Sequence, residues 1–525
     1  MGTGSFVLQK IYAFFLRLNF YFEHSLIFRA MTAVKNTARG SRILSSFIST
    51  KHRDYWGGSL IMRFIGLVAR GIIFLAGWFV RGTARVNKTS LNRRLFYAVA
   101  NSGFVIFLRK SIADCLPVRL ARWFFGSCDC ALKVMYMVFL TGALIIPAHL
   151  WNNLLLLVSA VLFGGLFALK RLLSEPSDER KEAVSISPAL VLFIFFCALS
   201  IFTGYGGGDS FRVFLILAAC VVHSILIALV IRKKEDLQMF FMLMAFVLAI
   251  MAAFGFYQLI MGIEIRSDFV DLETHPGLAR LYSTMGNPNN DAMAWAMLLP
   301  FVFAAVVTVK SDGRRVILLG ILLLVVAAFA LTYSRAGYVA LLAGAGIFVL
   351  MAAPRLVPVG IVLLLLALPF IPAGIMSRLL TIGQDTSSQY RFQIWEGVFG
   401  MLEDFWVRGI GMGPVAFVRI YRSYAHPAAL RTMHAHNQFL DIIAHSGIGA
   451  LLAFLAYLFR LFKRGIASHM ASEDREYKIY MAAGIAALVV FIAFGVGEYV
   501  WFHPRVMLVF WMVAGLISAM SARVV

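Results

Sequence analysis

Long apolar runs separated by short polar segments dominate the chain from residue 134 onward. A membrane hydrocarbon core about 30 Å thick is crossed by about 20 apolar residues of α-helix. Twelve runs approach or exceed this length: 134–150, 152–169, 184–203, 211–231, 238–262, 288–309, 316–333, 335–353, 356–373, 436–459, 479–500 and 504–523. The pattern predicts an all-α fold, a polytopic membrane helical bundle of about twelve spans. Residues 134–373 would form spans 1–9, and residues 436–525 would form spans 10–12.

The stretch 316–353 is too long to be a single span. It contains one charged residue, Arg335, and as one helix it would be about 57 Å long at 1.5 Å per residue. That length is nearly twice the hydrocarbon thickness, so the stretch must fold back on itself. We therefore predict a helical hairpin whose turn is Tyr333-Ser334-Arg335-Ala336-Gly337.

The composition agrees with a membrane protein. Hydrophobic residues make up 61% of the 525 residues and charged residues only 14%, whereas soluble proteins carry about 25% charged residues. A water-soluble enzyme is therefore excluded. The five cysteines predict neither a disulfide framework nor a zinc site, because Cys128-x-Cys130 lacks the two-residue spacing and the second pair of such sites.

Lysine and arginine collect in alternate loops, and this asymmetry predicts the orientation. Segments 232–234 and 460–478 are examples of the basic set, and basic short loops face the cytoplasm. Both termini are then cytoplasmic, and the segments 263–287 and 374–435 are external. We expect 374–435 to be a long helical loop between spans 9 and 10.

Residues 1–133 differ from the remainder of the chain. They hold twenty lysines and arginines against four acidic residues, and so carry most of the formal net charge of +22. Such a segment suits the anionic inner leaflet, and since its charges alternate with apolar residues we expect membrane lipid, not nucleic acid, as its partner. We predict cytoplasmic or interfacial helices here. The sequence leaves open the alternative that this segment contains one or two additional spans, for example over residues 59–80.

Several arginines and a histidine pair converge on one membrane face, in the external segments and at their borders. Candidate site residues are Arg280, Asn287, Asn289, Ser334, Arg335, Tyr390, Arg391, Arg408, Gly411, Gly413, His434, His436 and Asn437. Under one topology, Arg280, Arg335 and His436 all reach the same membrane surface. Arginine keeps its charge at any physiological pH and binds phosphate oxygens with two parallel hydrogen bonds, so the set suits an anionic, lipid-linked ligand.

Two further features shape the predicted chemistry. A histidine can accept a proton from an attacking hydroxyl near neutral pH. The external carboxylates show no D-x-D spacing, and arginines can offset the charge of a pyrophosphate, so we predict no metal site.

Each candidate also has a plainer interpretation. Arg335 could end its hairpin by extending to the headgroups, and the histidine pair could only cap the following span. Gly411-x-Gly413-Pro414 could be an ordinary turn, and Asn287 is most simply a helix N-cap. Glu498 could pair with Arg505, which favours a structural role.

Four motifs at these residues resemble those of the O-antigen ligase and O-antigen polymerase superfamily of bacterial envelope glycosyltransferases, over about residues 134–523. The motifs are Arg280 with Gly286-Asn287-Pro288-Asn289, Ser334-Arg335-Ala336-Gly337, Tyr390-Arg391-x-x-x-Trp395 through Gly411-x-Gly413-Pro414, and His436-Asn437-x-x-Leu440 followed by Ser446-Gly447-Ile448-Gly449.

The resemblance implies an inverting, metal-independent glycosyltransferase of the bacterial cytoplasmic membrane, with its active site on the external face and no cofactor. The donor would be a glycan on undecaprenyl pyrophosphate, and the acceptor a hydroxyl of an envelope glycan or glycolipid. Arg280 and Arg335 would hold the pyrophosphate, and His436 would activate the acceptor. Electrostatic stabilisation of the departing pyrophosphate would then supply most of the rate enhancement.

Three alternatives remain open at this point. Within the enzyme class, the sequence does not separate a ligase from a polymerase. A transporter or flippase of a lipid-linked anion would need similar arginines, although we find no convincing internal repeat. A structural scaffold for envelope synthesis would tolerate substitution of both Arg335 and His436.

Overall fold

A computed structural model describes residues 129–173, 186–263, 280–367 and 386–522, together with the single positions 369 and 376. The predicted interfacial helices of the basic segment, and the anionic lipid expected as their partner, concern residues that lie almost entirely outside the described ranges. The same holds for most of the first external segment.

Every regular element in these ranges is a helix, which confirms the predicted all-α class. The fourteen α-helices of the described chain are α1 (Asp129–Ile145), α2 (Leu154–Leu173), α3 (Pro188–Thr203), α4 (Gly208–Val230), α5 (Lys234–Ile260), α6 (Pro288–Thr308), α7 (Asp312–Ala330), α8 (Arg335–Ala352), α9 (Val357–Ala367), α10 (Thr386–Phe405), α11 (Pro414–Tyr421), α12 (Gln438–Ala471), α13 (Arg475–Gly495) and α14 (Pro504–Ser521).

Twelve of the fourteen described helices correspond to the twelve predicted apolar runs, and the other two, α10 and α11, lie in the predicted external loop. Eight of the described helices are long and apolar enough to cross a membrane, and α1, α2, α3 and α9 are shorter apolar helices. The predicted polytopic bundle of about twelve spans is thus confirmed. The hairpin turn also forms as predicted, between α7 and α8. The tenth span differs most in its bounds, because α12 continues beyond residue 459 as a basic helical end.

The helices differ in how much of their surface faces other helices. In the apolar windows of α13 and α14, 78% and 89% of the residues are buried, whereas in those of α7 and α8 only 22% are, as expected of helices at the lipid boundary. Small residues allow close packing at the centre of the bundle. A Cβ atom at Gly515 of α14, for example, would lie only 2.3 Å from the carbonyl oxygen of Ser224 in α4.

Helix α12 is broken near its first third, at Gly447, whose φ is +79° and ψ is 172°. The break releases backbone groups that the segment joining α10 to α11 then satisfies. Ile410 N–H donates to the carbonyl of Ala444 at 2.9 Å, and Ile448 N–H donates to the carbonyl of Trp406 at 2.7 Å. The long loop is therefore attached to the bundle by backbone hydrogen bonds, not only by its two ends.

Helices α10 and α11 form a small core of their own against α12. Ile394, Val398 and Met401 of α10 pack on Phe417 and Tyr421 of α11 and are fully buried. Ala435, in the turn before α12, and Ala444, in the first part of α12, complete this cluster. This packing fixes α10 beside the start of α12.

The break in α12 generates the first prediction. Gly447 has backbone angles that residues with a side chain adopt at a cost of about 1–3 kcal/mol, and its Cβ atom would lie 2.0 Å from the carbonyl oxygen of Val407. We expect Gly447→Ala to lower the midpoint of thermal unfolding in detergent by several degrees. Gly346→Ala is the matched control, because nothing lies within 4 Å of that position. Equal midpoints for the two variants would contradict the described break.

Candidate active site

Helices α6 and α12 begin with the same capping arrangement. Asn287 and Asn437 are the N-caps, and the side-chain oxygen of each accepts hydrogen bonds from two backbone N–H groups of the following turn. The residue before each cap has positive φ, +73° at Gly286 and +47° at His436. Positive φ is uncommon for a residue with a side chain, so the conformation of His436 must be imposed by its surroundings.

A buried aspartate in the first turn of each helix ties down the preceding segment. Asp291 accepts hydrogen bonds from the backbone N–H of Ser283 at 2.7 Å and of Met285 at 3.2 Å. Asp441 accepts the N–H of Ala435 with both oxygens, at 3.0 and 3.1 Å. Both side chains are fully buried. Their contacts fix the segments that carry Arg280 and His436.

Two further contacts hold the backbone around His436. The indole N–H of Trp395 in α10 donates to the carbonyl of Ala435 at 2.9 Å, and the N–H of His436 donates to Nδ1 of His434 at 3.2 Å. The rings of the two histidines are 4.1 Å apart. Burial, followed by the neighbouring His436, holds the pKa of His434 well below its usual range. His434 is therefore a neutral support for His436.

Glu498, in the turn after α13, is the centre of the site. One carboxylate oxygen lies 3.0 Å from Nδ1 of His436. The other accepts hydrogen bonds from the guanidinium of Arg391 in α10 and, at 3.3 Å, from Nδ2 of Asn289 in α6. These four residues, Glu498, His436, Arg391 and Asn289, are called the Glu498 cluster below. The Glu498 side chain is only 7% exposed, whereas His436 is 26% exposed.

The charges of the Glu498 cluster determine which nitrogen of His436 donates. Burial by itself would raise the pKa of Glu498, but Arg391 and His436 outweigh it and hold the pKa well below its usual range. An ionised carboxylate can only accept hydrogen bonds, so Nδ1 of His436 must be the donor. In the neutral ring, Nε2 then carries the lone pair.

Arg280 joins this cluster to the hairpin turn. Its Nε donates to the carbonyl of Thr332 at 2.8 Å, and one terminal nitrogen donates to Oδ1 of Asn289 at 2.7 Å. Arg335 begins α8 directly after this turn. A Cβ atom at Gly497 would lie 4.0 Å from that of Ala336, so the start of α8 also adjoins the turn that carries Glu498. Arg280, Arg335 and His436 thus lie at the same end of the bundle.

The remaining predicted site residues divide into two groups. Tyr390 lies near His436, with the two ring centres 6.5 Å apart, and Ser334 is the buried N-cap residue of α8. The side chain of Asn437 is occupied as a cap and by the carbonyl of Val496 at 2.8 Å. Tyr390 and Asn437 adjoin the Glu498 cluster, and Ser334 lies in the hairpin turn that Arg280 contacts.

Arg408, Gly411 and Gly413 form the second group, at the break in α12. Arg408 lies over the rings of Tyr205 and Phe405 and donates to the hydroxyl of Tyr205 at 2.8 Å. A Cβ atom at Gly411 would lie 3.0 Å from Ser210 Oγ, and one at Gly413 would lie 2.8 Å from Asp209 Oδ2. Both glycines have positive φ, and their geometry is that of a turn packed against the α3–α4 connection. Contact of these three residues with substrate stays a prediction.

The expected pairing of Glu498 with Arg505 is wrong. Arg505 is fully buried and donates to the carbonyls of Ile146 and Thr284, at 2.5 and 2.6 Å, while Glu498 binds Arg391 and His436. Proximity in the sequence favoured Arg505, but the fold brings α10 and the start of α12 closer. An available signal was missed: an acidic residue at a surface rich in arginine and histidine is expected to pair with them.

A comparison with known families bears on this site. The model of the family described as O-antigen ligase matches residues 320–455, a segment that runs from α7 into α12 and includes Arg335, Arg391 and His436. The match confirms the resemblance that the sequence motifs indicate, over less than half of the 525-residue chain. No protein in a search of curated proteins matches the chain.

The ion pair between Glu498 and Arg391 generates a prediction about stability. Removing one partner leaves the other charge largely buried, which costs about 3 kcal/mol. We expect Glu498→Gln and Arg391→Gln each to lower thermal stability, and the double variant to be more stable than the sum of both effects implies. A double-mutant cycle measures this coupling, for which we expect about 1–3 kcal/mol.

The pH dependence of the stability difference between the wild type and Glu498→Gln is a control for this cycle. Because the pKa of Glu498 is lower in the folded state, its stabilising effect is present above the unfolded pKa and is lost as the pH falls through the folded one. The advantage of the wild type over Glu498→Gln should persist at pH 5 and shrink below about pH 4. Additive single effects, or an advantage that grows on acidification, would contradict the described pair.

Proposed function

We propose that this protein is a membrane glycosyltransferase that transfers a glycan from undecaprenyl pyrophosphate to a hydroxyl of an envelope glycan or glycolipid. The reaction would take place at the external face of the bacterial cytoplasmic membrane. The observation that carries the proposal is the Glu498–His436 pair, which lies beside arginines from three separate chain segments at one end of the bundle. The match of residues 320–455 to the O-antigen ligase family supports the same reaction class.

Arg280 and Arg335 are assigned to the pyrophosphate. Planar guanidinium groups bind phosphate oxygens through paired, charge-assisted hydrogen bonds. Arg280 is held in place by Thr332 and Asn289 before any ligand arrives, so little ordering is needed on binding. Arg335 stands at the N-terminus of α8, where the helix dipole also favours an anion.

His436 is assigned as the general base. The acceptor O–H gives its proton to Nε2 of His436 while its oxygen forms a bond to the anomeric carbon of the donor sugar. The bond from that carbon to the pyrophosphate oxygen breaks, and the electron pair leaves with the pyrophosphate. Attack from the face opposite the leaving group inverts the anomeric centre. Glu498 holds the ring through Nδ1 and stabilises the imidazolium that forms.

In this mechanism the arginines supply the positive charge that the departing pyrophosphate requires, so the reaction needs no metal ion. The fixed guanidinium groups need little reorganisation during the reaction, which is the condition under which electrostatic stabilisation contributes most. Activity that survives chelation of divalent cations is expected. Ligation and polymerisation would both use this site and differ in the acceptor.

Transfer by purified protein is the direct test of the proposed function. We expect the full chain to transfer glycan from a defined undecaprenyl-pyrophosphate oligosaccharide without any transmembrane gradient, which a transporter would not do. His436→Ala and Arg335→Ala should each lower the rate by about 1,000-fold or more. Arg335→Lys should also be poor, because ammonium lacks the paired donors of guanidinium.

Matched controls keep this experiment interpretable. His149→Ala removes an exposed histidine of the α1–α2 connection, and Arg314→Ala removes an exposed arginine of α7. Both controls should retain the wild-type rate, while the two site variants remain folded by thermal unfolding. Near-normal transfer by both site variants would refute the mechanism. A ladder of products indicates a polymerase, and a single transfer to a foreign acceptor indicates a ligase.

A second prediction concerns the role of Glu498 in catalysis. The amide of Glu498→Gln can still contact His436, but it cannot stabilise the imidazolium as a carboxylate does. We expect kcat to fall about 100-fold with KM for the donor changed little, since the arginines that bind the donor are retained. A rise in KM at unchanged kcat would instead assign Glu498 to substrate binding.

A further inference from the structure

A pocket lined by both polar and apolar residues lies at the end of the bundle opposite the Glu498 cluster. It is formed by the start of α3, the ends of α4 and α14, and the part of α12 around Arg460, and its cavity measures about 40 Å³. Helix α14 begins at Pro504, shortly after Glu498, and Ser521, which lines the pocket, lies about 26 Å further along it at 1.5 Å per residue. This distance is close to the hydrocarbon thickness, so the pocket faces the other leaflet. We call it the Arg460 pocket.

The Arg460 pocket carries positive charge that is not neutralised within the described chain. Arg460 and Arg464 both line it and are one helical turn apart, and within the described ranges neither guanidinium forms an ion pair with a carboxylate. The N-terminus of α3 also opens into the pocket, and its N-cap residue, Ser187, makes no side-chain capping bond. Helix N-termini present unsatisfied N–H groups and a partial positive charge.

Two hydroxyl groups of the pocket have no hydrogen-bonding partner within the part of the chain that the structure describes. Ser187 and Ser521 are 6% and 4% exposed, and among the described residues neither Oγ has a hydrogen-bonding partner. A buried hydroxyl without a partner is unfavourable by about 1–3 kcal/mol, and such groups in native proteins usually face an ion, water or ligand that satisfies them. Together with two arginines, these hydroxyls indicate an oxyanion with several acceptor oxygens.

The walls of the pocket are apolar. Leu190 of α3, Ile225 of α4, Leu461 of α12 and Ile517 of α14 line it beside the polar groups. A free inorganic anion gains nothing from contact with apolar side chains, whereas the acyl chains of a lipid would pack against them. The predicted topology places the pocket at the cytoplasmic leaflet, which is rich in anionic lipid.

We propose that the Arg460 pocket binds an anionic phospholipid, with its phosphate between Arg460, Arg464, Ser187 and Ser521 and its acyl chains along the apolar walls. The bound lipid joins four helices at the end of the bundle that the Glu498 cluster does not reach. This proposal does not depend on the proposed glycosyl transfer.

The experiment measures lipid binding to the purified full chain reconstituted in nanodiscs. The lipid is either pure phosphatidylcholine or phosphatidylcholine with increasing phosphatidylglycerol. Thermal unfolding and native mass spectrometry report the effect. We expect phosphatidylglycerol to raise the unfolding midpoint and to be retained by the protein. In Arg460→Gln/Arg464→Gln the apparent affinity should fall roughly tenfold or more, because two charge-assisted contacts are lost.

Lys463→Gln/Arg475→Gln is the matched control, because it removes the same charge from the same end of the bundle without altering the pocket lining. It should bind phosphatidylglycerol like the wild type. Equal loss in both double variants would overturn the pocket in favour of general surface charge. An equal shift with inorganic phosphate in phosphatidylcholine would overturn the lipid assignment. Should the arginine variant fold poorly, Ser521→Leu, which fills the pocket, must also weaken retention.

Discussion

The Glu498 carboxylate is the interaction on which the arrangement of the site depends. It receives hydrogen bonds from α6 through Asn289 and from α10 through Arg391, and it pairs with His436 just before α12. These segments come from different parts of the chain, and the carboxylate is the acceptor that all three share. A single buried negative charge therefore determines both where the imidazole points and where the arginine-rich segments meet.

Burying that charge is unfavourable on its own, and the surrounding structure compensates for it. Arg391 supplies a full positive charge, while Asn289 and His436 supply additional donors, so that the carboxylate remains ionised. The same compensation has a chemical consequence. A charge that is already balanced by fixed partners can stabilise a proton arriving on His436 without any rearrangement of solvent. Stability and the proposed catalysis thus both require an ionised Glu498 with fixed partners.

The two helix starts beside the cluster are built for rigidity. Each combines an N-cap asparagine, a preceding residue with positive φ, and a buried aspartate that binds the upstream backbone. At α12 these contacts hold His436 in a conformation that it would rarely adopt alone. The broken helix at Gly447 extends this rigidity to the long loop, because its released carbonyls bind the segment between α10 and α11.

The sequence predicts the bundle and one surface of the site, but not its centre. Apolar runs are long enough to locate the spans, and the alternation of basic loops places Arg280, Arg335 and His436 at one end. Apolar periodicity does not identify the partners of Glu498; only the excess of arginine and histidine at that surface indicates them. Periodicity reports which residues face lipid, whereas the docking of α10 against α12 depends on side-chain packing between Ile394, Phe417 and their neighbours. Proximity in the sequence therefore suggested Arg505 instead.

The glycines illustrate a similar limit. A motif such as Gly411-x-Gly413 indicates a backbone that needs positive φ or a close approach, but it does not identify what approaches. The structure shows that the approaching groups are Ser210 and Asp209 of the same chain. Only the three-dimensional arrangement separates a turn that packs against another helix from one that faces a ligand.

The most direct test of the central claim is an experimental structure of the full chain with a non-transferable phosphonate analogue of the undecaprenyl-pyrophosphate glycan. We expect the diphosphate within hydrogen-bonding distance of Arg280 and Arg335, with the anomeric carbon facing Nε2 of His436 and the Glu498–His436 contact intact. A headgroup bound at the other end of the bundle, or an imidazole turned away from Glu498 in the complex, would contradict the account.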